Sequence, residues 1–240
     1  TSYNIESGKE HAKKFTDRFP FALTGAQERA AETILSDFKK NEPMSRLLEG
    51  DVGSGKTAVA ATAAYAVVTS NPGGQNFGNL QVAYMAPTEI LAQQHFESFI
   101  EYFSHLKVQI GLITGSGCKK FPSKVNPKTA TDISRAQLLR WVANGEIPIL
   151  IGTHALIQKT VTFKHLAFVI IDEQHKFGTA QRFKLAHKGK VAPHLLSMTA
   201  TPIPRTLALT IFGDLDLSLL DEMPAGRKQV ITKIVSPDER

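Results

Sequence analysis

The 240-residue chain holds one cysteine and one tryptophan, and it has no apolar run near the roughly 20 residues that a bilayer span requires. A single thiol, Cys118, excludes an internal disulfide framework and a cysteine-rich zinc site, and it fits a reducing, cytoplasmic setting. Thr1 to Lys14 is polar and charged, so it reads as neither a signal peptide nor a membrane anchor. Acids are scarce in two places. From Lys107 to Arg140 there are seven basic side chains (Lys107, Lys119, Lys120, Lys124, Lys128, Arg135, Arg140) against one acid, Asp132. From Gln174 to Gly213 there are six (Lys176, Arg182, Lys184, Lys188, Lys190, Arg205) and no acid. Such stretches suit a polyanion partner; a merely solvated basic face reads the same way. The 42% hydrophobic content excludes wholesale disorder, and the length allows one large domain or two small ones.

What is present alternates. Thr24 is an expected N-cap for a helix through Lys40, with Ala30, Ile34, Leu35 and Phe38 at helical spacing. The short run 46–48 precedes a glycine-rich loop, and an almost wholly apolar helix follows it. Strand-like 81–86 precedes helix-like 89–103. The run 108–114 precedes a polar loop (115–131) and a helix at 133–145. Runs 148–153, 166–172 and 194–200 read as strands, 204–213 as a helix and 229–235 as a last strand. This alternation implies βαβ units, an α/β fold with a mainly parallel sheet and helices on both faces. Residues 1–20 read as a flexible lead-in or the end of an upstream region.

Gly50-Asp51-Val52-Gly53-Ser54-Gly55-Lys56-Thr57 matches GxxxxGK[ST], between an expected strand and an expected helix. Triphosphate is a dense anion. Glycines let backbone N–H groups converge on it, the helix N-terminus adds a positive dipole end, Lys56 reaches the outer phosphates and the Thr57 hydroxyl can take Mg²⁺. The apolar run Ala167–Ile171 ends in Asp172-Glu173. At a strand end near a P-loop, Asp172 suits the metal and Glu173 the attacking water.

Asp172-Glu173-Gln174-His175 resembles motif II of superfamily 2 helicases. Other segments resemble that superfamily's motifs in order: Phe21-Ala-Leu-Thr24-Gly-Ala-Gln27, Ala86-Pro87-Thr88-Glu89, Thr114-Gly115-Ser116, Gly152-Thr153-His154 and Thr199-Ala200-Thr201-Pro202. The strings GDVGSGKT, APTEILAQQH, GTHALIQ, IIDEQHKFGTAQR and MTATPIPRTLALTIFGDLDLS resemble the RecG family of bacterial branched-DNA helicases. Transcription-repair coupling translocases and primosomal helicases are close seconds. The resemblance covers about residues 20–220.

That resemblance implies a RecA-like P-loop NTPase domain over 21–225, with 226–240 beginning a linker to a second motor domain. It implies ATP and Mg²⁺ as cofactors and forked or branched DNA as partner. Full-length relatives of this kind also carry a wedge domain and a second motor domain that completes the site, so the isolated chain is expected to be nearly inactive. Gly50, Gly53, Ser54, Gly55, Lys56 and Thr57 would hold phosphates. Gln27 would read the adenine edge beside Phe21. Lys56, Asp172, Glu173 and His175 would be catalytic, with Thr57 and Asp172 toward the metal. Gln174, Thr199, Thr201 and Arg205 would couple the nucleotide to the DNA side; an ion pair of Arg205 with Asp214 or Asp216 is an equal alternative. Pro87, Thr88, Thr114, Gly115, Thr153 and His154 would line a DNA-backbone track. A P-loop nucleotide switch and an RNA helicase are the competing readings.

Overall fold

A computed structural model describes residues 2–75, 78–172, 191–201 and 215–224. Their strands are β1 (Ser45–Gly50), β2 (Gln81–Met85), β3 (Ile110–Ile113), β4 (Cys118–Phe121), β5 (Thr131–Asp132), β6 (Ile149–Gly152), β7 (Leu166–Ile171), β8 (His194–Thr199) and β9 (Asp216–Leu220). They form one sheet in the order β5-β4-β3-β6-β2-β7-β8-β1-β9. From β3 to β9 every pairing is parallel. The β3–β4 and β4–β5 pairings are antiparallel.

The central strands are buried on both faces, as the apolar runs require. Their side chains alternate between two cores. Val82, Tyr84, Phe168 and Ile170 enter the larger core, whereas Ala83, Met85, Val169 and Ile171 enter the smaller one. Helices α1 (Lys9–Thr16), α2 (Gly25–Asp37), α3 (Lys56–Val68) and α4 (Glu89–Phe103) contribute to the larger core. Helix α5 (Arg135–Ala143) and the 3₁₀ turn His154–Ile157 close the smaller one. Helix α3 is buried on every side from Ala58 to Val68, which its run of alanine and valine permits.

Three differences from expectation are physical. Residues 2–20 are not a flexible lead-in. Ile5 and Phe15 are buried, Phe15 stacks on Tyr65 with ring centroids 4.4 Å apart, and the Ile5 N–H donates to the Phe38 carbonyl. His194 ties the same segment down, accepting from the Met44 N–H at Nδ1 (3.0 Å) and donating from Nε2 to the Tyr3 carbonyl (2.7 Å). Second, the polar loop at 115–131 contains β4 and leads into β5. Third, Asp216–Leu220 is a strand on the far edge, beside β1. The expected helix 204–213 and strand 229–235 lie outside the described residues, as does the segment 226–240.

Candidate functional site

In a parallel sheet the carboxyl ends of neighbouring strands share one edge, and ligands bind there. Along this edge the strand order sets a row. Thr114 and Gly115 follow β3, Thr153 and His154 follow β6, Pro87 and Thr88 follow β2, and Asp172 follows β7. Thr199 closes β8, Thr201 lies just beyond it, and the Gly50–Thr57 loop follows β1.

The loop after β1 has Gly53 at φ 79° and Gly55 at φ 83°, a left-handed conformation that glycine alone adopts without strain. It delivers the chain into the N-terminus of α3. The Lys56 ammonium donates to the Gly50 and Asp51 carbonyls, so the cation rests over the loop. Ser54 is fully buried, its N–H donates to the Asp51 carbonyl, and its hydroxyl has no hydrogen-bond partner.

A cleft of about 510 Å³ opens against this loop, lined among others by Phe21, Gln27, Lys56, Thr57 and Asp172. The Gln27 amide is engaged at both ends. Its oxygen accepts the Thr24 N–H at 2.9 Å, completing a capping box with the Thr24 hydroxyl at the start of α2. Its nitrogen donates to the Ser54 carbonyl at 2.7 Å. Gln27 thus braces the phosphate loop, and its amide keeps a second N–H and a second lone pair beyond these bonds. Phe21, 39% exposed, and Tyr102 both line the cleft, with ring centroids 6.3 Å apart, and give it an aromatic wall.

Thr57 and Asp172 present a hydroxyl and a carboxylate to the same cleft. These are hard oxygen ligands, suited to Mg²⁺. Among the described residues no cluster of three or more His, Cys, Asp or Glu side chains could hold a metal alone. That fits an ion bound through few protein groups and the phosphates of a nucleotide.

Sequence reasoning missed the groups behind this pair. His95 on α4 donates from Nε2 to Asp172 Oδ2 at 2.6 Å. The Tyr84 hydroxyl on β2 lies 3.2 Å from His95 Nδ1, and the two rings are 4.6 Å apart. Burial, then the Asp172 charge, pushes the Tyr84 phenol well above its ordinary value. Leu91, His95, Ser98 and Tyr102 recur at i, i+4, i+7 and i+11 on α4, and three of them line the cleft. Ala92, Phe96, Phe99 and Phe103 form its buried stripe. The available signal was a stripe carrying His95, Ser98 and Tyr102 that flanks the apolar one, offset by one residue along α4.

On the track side, the Thr88 hydroxyl caps α4 by accepting the Leu91 N–H at 3.2 Å. The Thr114 hydroxyl lies 3.0 Å from Ser116 Oγ, and both Thr114 and Thr153 are largely buried. Gly115, Thr88 and His154 are exposed along the row, and Pro87 is half-buried. The Ser116 N–H donates to Glu89 at 3.1 Å, which ties the β2 and β3 loops together; the Ser116 side chain chiefly, with the backbone N–H groups of Gly115 and Ser116, holds the Glu89 carboxyl below its ordinary value against burial. At the end of β8, the Thr199 and Thr201 hydroxyls are 2.9 Å apart, and Thr199 Oγ1 also accepts the Thr201 N–H. Glu173, Gln174, His175 and Arg205 lie outside the described residues.

Comparison with known proteins agrees with this arrangement. The DEAD/DEAH box helicase family matches residues 24–210. The chain is 48% identical over 231 residues to an ATP-dependent DNA helicase RecG of Synechocystis sp., covering 96% of this chain and 25% of that protein. It is 50% identical to the Aquifex aeolicus protein of the same name, covering 96% of this chain and 26% of that one. The chain thus spans about a quarter of these relatives. A solved structure of RecG bound to a three-way DNA junction superposes with a TM-score of 0.73 and 39% identity, over 95% of this chain and 28% of that one. A structure of S. cerevisiae Dbp5 shares the fold at 18% identity and a TM-score of 0.61, over 90% of this chain and 51% of that one.

Proposed function

The chain belongs to the DEAD/DEAH box helicase family, and from that premise we propose that it is the ATP-binding motor half of a RecG-type DNA helicase or translocase. In the full protein this motor remodels forks and Holliday junctions in DNA repair and recombination. The observation that carries the reading is the single row of strand ends. It sets the phosphate loop, Asp172, the Thr199–Thr201 pair and the Pro87, Thr88, Thr114, Gly115, Thr153 and His154 segments side by side.

Lys56 leaves the loop carbonyls for the β- and γ-phosphates, and the α3 N-terminus receives the anion. Thr57 and Asp172 would hold Mg²⁺, which would supply neutralisation of charge on the phosphates. Glu173 orients the attacking water, with His175 beside it. Phe21 and Gln27 seat the base. Gln174, Thr199, Thr201 and Arg205 pass the state of the site to the track, whose backbone and hydroxyl groups meet DNA phosphates without reading sequence. A second motor domain completes the site in trans, and a wedge domain grips the branch, so the isolated chain binds ATP weakly and turns it over little. The setting is the cytoplasm.

The test uses the full-length protein and fluorescent forked DNA. DNA affinity is expected to fall steeply as salt rises, because neutralised phosphates release counterions. Lys56→Ala is expected to abolish DNA-stimulated ATP hydrolysis while retaining nucleotide-free DNA binding. A flat salt response, with nucleotide binding intact, would overturn the motor reading in favour of a nucleotide switch.

A further inference from the structure

We propose that Tyr84 and His95 form a positioning relay that fixes the Asp172 carboxylate, and so sets how tightly the site takes a divalent cation with nucleotide. The inference rests on the nucleotide reading above and deepens it.

The geometry is a chain of contacts behind the cleft. Asp172 follows β7, and its backbone N–H donates to the Met85 carbonyl at the end of β2, so the backbone is held at that point. His95 Nε2 meets Oδ2 at 2.6 Å. The side chains of His95 and Asp172 are 12% and 10% exposed, so water competes little for that bond. The His95 ring is held in turn by Tyr84, which is fully buried in the larger core and packs edge-on against Phe99 at 5.4 Å. The buried Tyr84 hydroxyl thus steadies Asp172 through the His95 ring that lies between them.

This is the arrangement by which outer groups orient metal ligands: they do not touch the ion, and losing them costs about 10–100-fold in metal affinity. A His on α4 serves here because α4 is anchored along Phe96, Phe99 and Phe103, so its ring has little freedom to drift.

The experiment measures binding of a fluorescent ADP analogue to the full-length protein, with excess EDTA and across a Mg²⁺ titration. In the parent, Mg²⁺ should tighten binding. His95→Ala is expected to raise the Mg²⁺ concentration for half-maximal tightening about tenfold while leaving affinity in EDTA unchanged. His95→Gln, which keeps an N–H donor, should recover most of the loss. Tyr84→Phe, which keeps the ring, should lose about threefold, the worth of one neutral hydrogen bond. Thermal melting checks folding; if His95→Ala unfolds, the other two variants decide by the same criteria. An unchanged Mg²⁺ midpoint, or an equal loss of affinity with and without Mg²⁺, would overturn the relay. Normal nucleotide binding by the parent with no Mg²⁺ effect would overturn both the relay and the metal assignment, and no nucleotide binding at all would overturn the nucleotide reading itself.

Discussion

The two ends of the sheet differ in direction, and the difference decides where chemistry can sit. From β3 to β1 the strands run parallel, so each turn at their carboxyl ends opens on the same edge, and every one of them contributes to the row of site residues. Beyond β3 the chain reverses. Strands β4 and β5 pair antiparallel, so β4 returns toward the opposite end of the sheet and carries Phe121 and Pro122 with it. There a cleft of about 630 Å³ is lined by Lys107, Lys120, Lys124 and Trp141, away from the nucleotide loop. The parallel half concentrates polar groups that partner one another across strands. The antiparallel edge holds basic groups that lean on carbonyls and rings. Substitutions should therefore separate the two regions, with large coupled losses in the first and small uncoupled ones in the second.

The largest loss is expected at Arg46 on β1. Its Nε and Nη2 donate to Asp37 Oδ2 at 2.9 and 2.6 Å, and Nη1 donates to Ser218 Oγ on β9 at 3.0 Å. Arg46→Met should cost roughly 3 kcal/mol at neutral pH, because it leaves a buried carboxylate short of its partner. Burial alone would raise the Asp37 carboxyl, but hydrogen bonds from Lys40 and Arg46, with their charges, hold it below its ordinary value. A depressed folded value gives stability above the ordinary carboxylate range that is lost as pH falls through the folded value. The gap between parent and Arg46→Met, measured from urea midpoints, should therefore narrow from pH 7 to pH 3. A constant gap would show that packing alone carries the loss.

Gly55→Ala should have a smaller effect on stability and a selective one on the site. At φ 83° an alanine costs about 1–2 kcal/mol, and its Cβ would fall 2.1 Å from Gln27 Nε2. The brace from α2 to the phosphate loop must then break, and nucleotide binding should weaken by at least about tenfold. Equal nucleotide affinity in Gly55→Ala and parent would show that the brace is dispensable.

The parallel half was legible where a residue's role follows from its neighbours in the chain. The GxxxxGK[ST] spacing demanded a left-handed glycine before α3, and Gly55 is that residue. Thr24, expected as an N-cap, caps the helix that follows it. The antiparallel edge was not legible, because β4 carries two lysines and ends just before Pro122, and β5 is two residues long. Neither offers a run of alternating apolar residues to read. The packing of residues 2–20 was not legible because their anchors, Ile5, Phe15 and Phe19, are few and widely spaced among charges. His95 and Tyr84 were missed for another reason. Their partner, Asp172, stands 77 residues from His95, and periodicity names a face without naming what lies across from it.

The smallest effect, and the sharpest test of the passive edge, is at Lys120. It is 7% exposed, its ammonium donates to the Pro122 carbonyl at 2.9 Å, and it lies 5.5 Å from the centre of the Trp141 ring. Burial, then the neighbouring Lys124, pulls its value below the ordinary 10.5, against the opposing charge of Glu146. Lys120→Met keeps the packed stem, forfeits a cation–π contact worth about 0.5–1 kcal/mol, and removes a poorly solvated charge. Those terms oppose, so stability at pH 7 should stay within about 1 kcal/mol of the parent, with nucleotide affinity unchanged. The pH dependence has a definite sign. A lowered folded value means that the unfolded chain binds the proton more readily, so Lys120 penalises folding less as pH climbs through that value toward 10.5. Tyr3, Tyr65, Tyr84 and Tyr102, all raised by burial, pull stability down over the same range. Only the difference between parent and variant isolates the lysine, and it should move in the parent's favour as pH rises. A difference that moves the other way would mean that the ammonium is held by a favourable anionic partner in the folded protein, and the edge would then share the cooperative electrostatics of the parallel half.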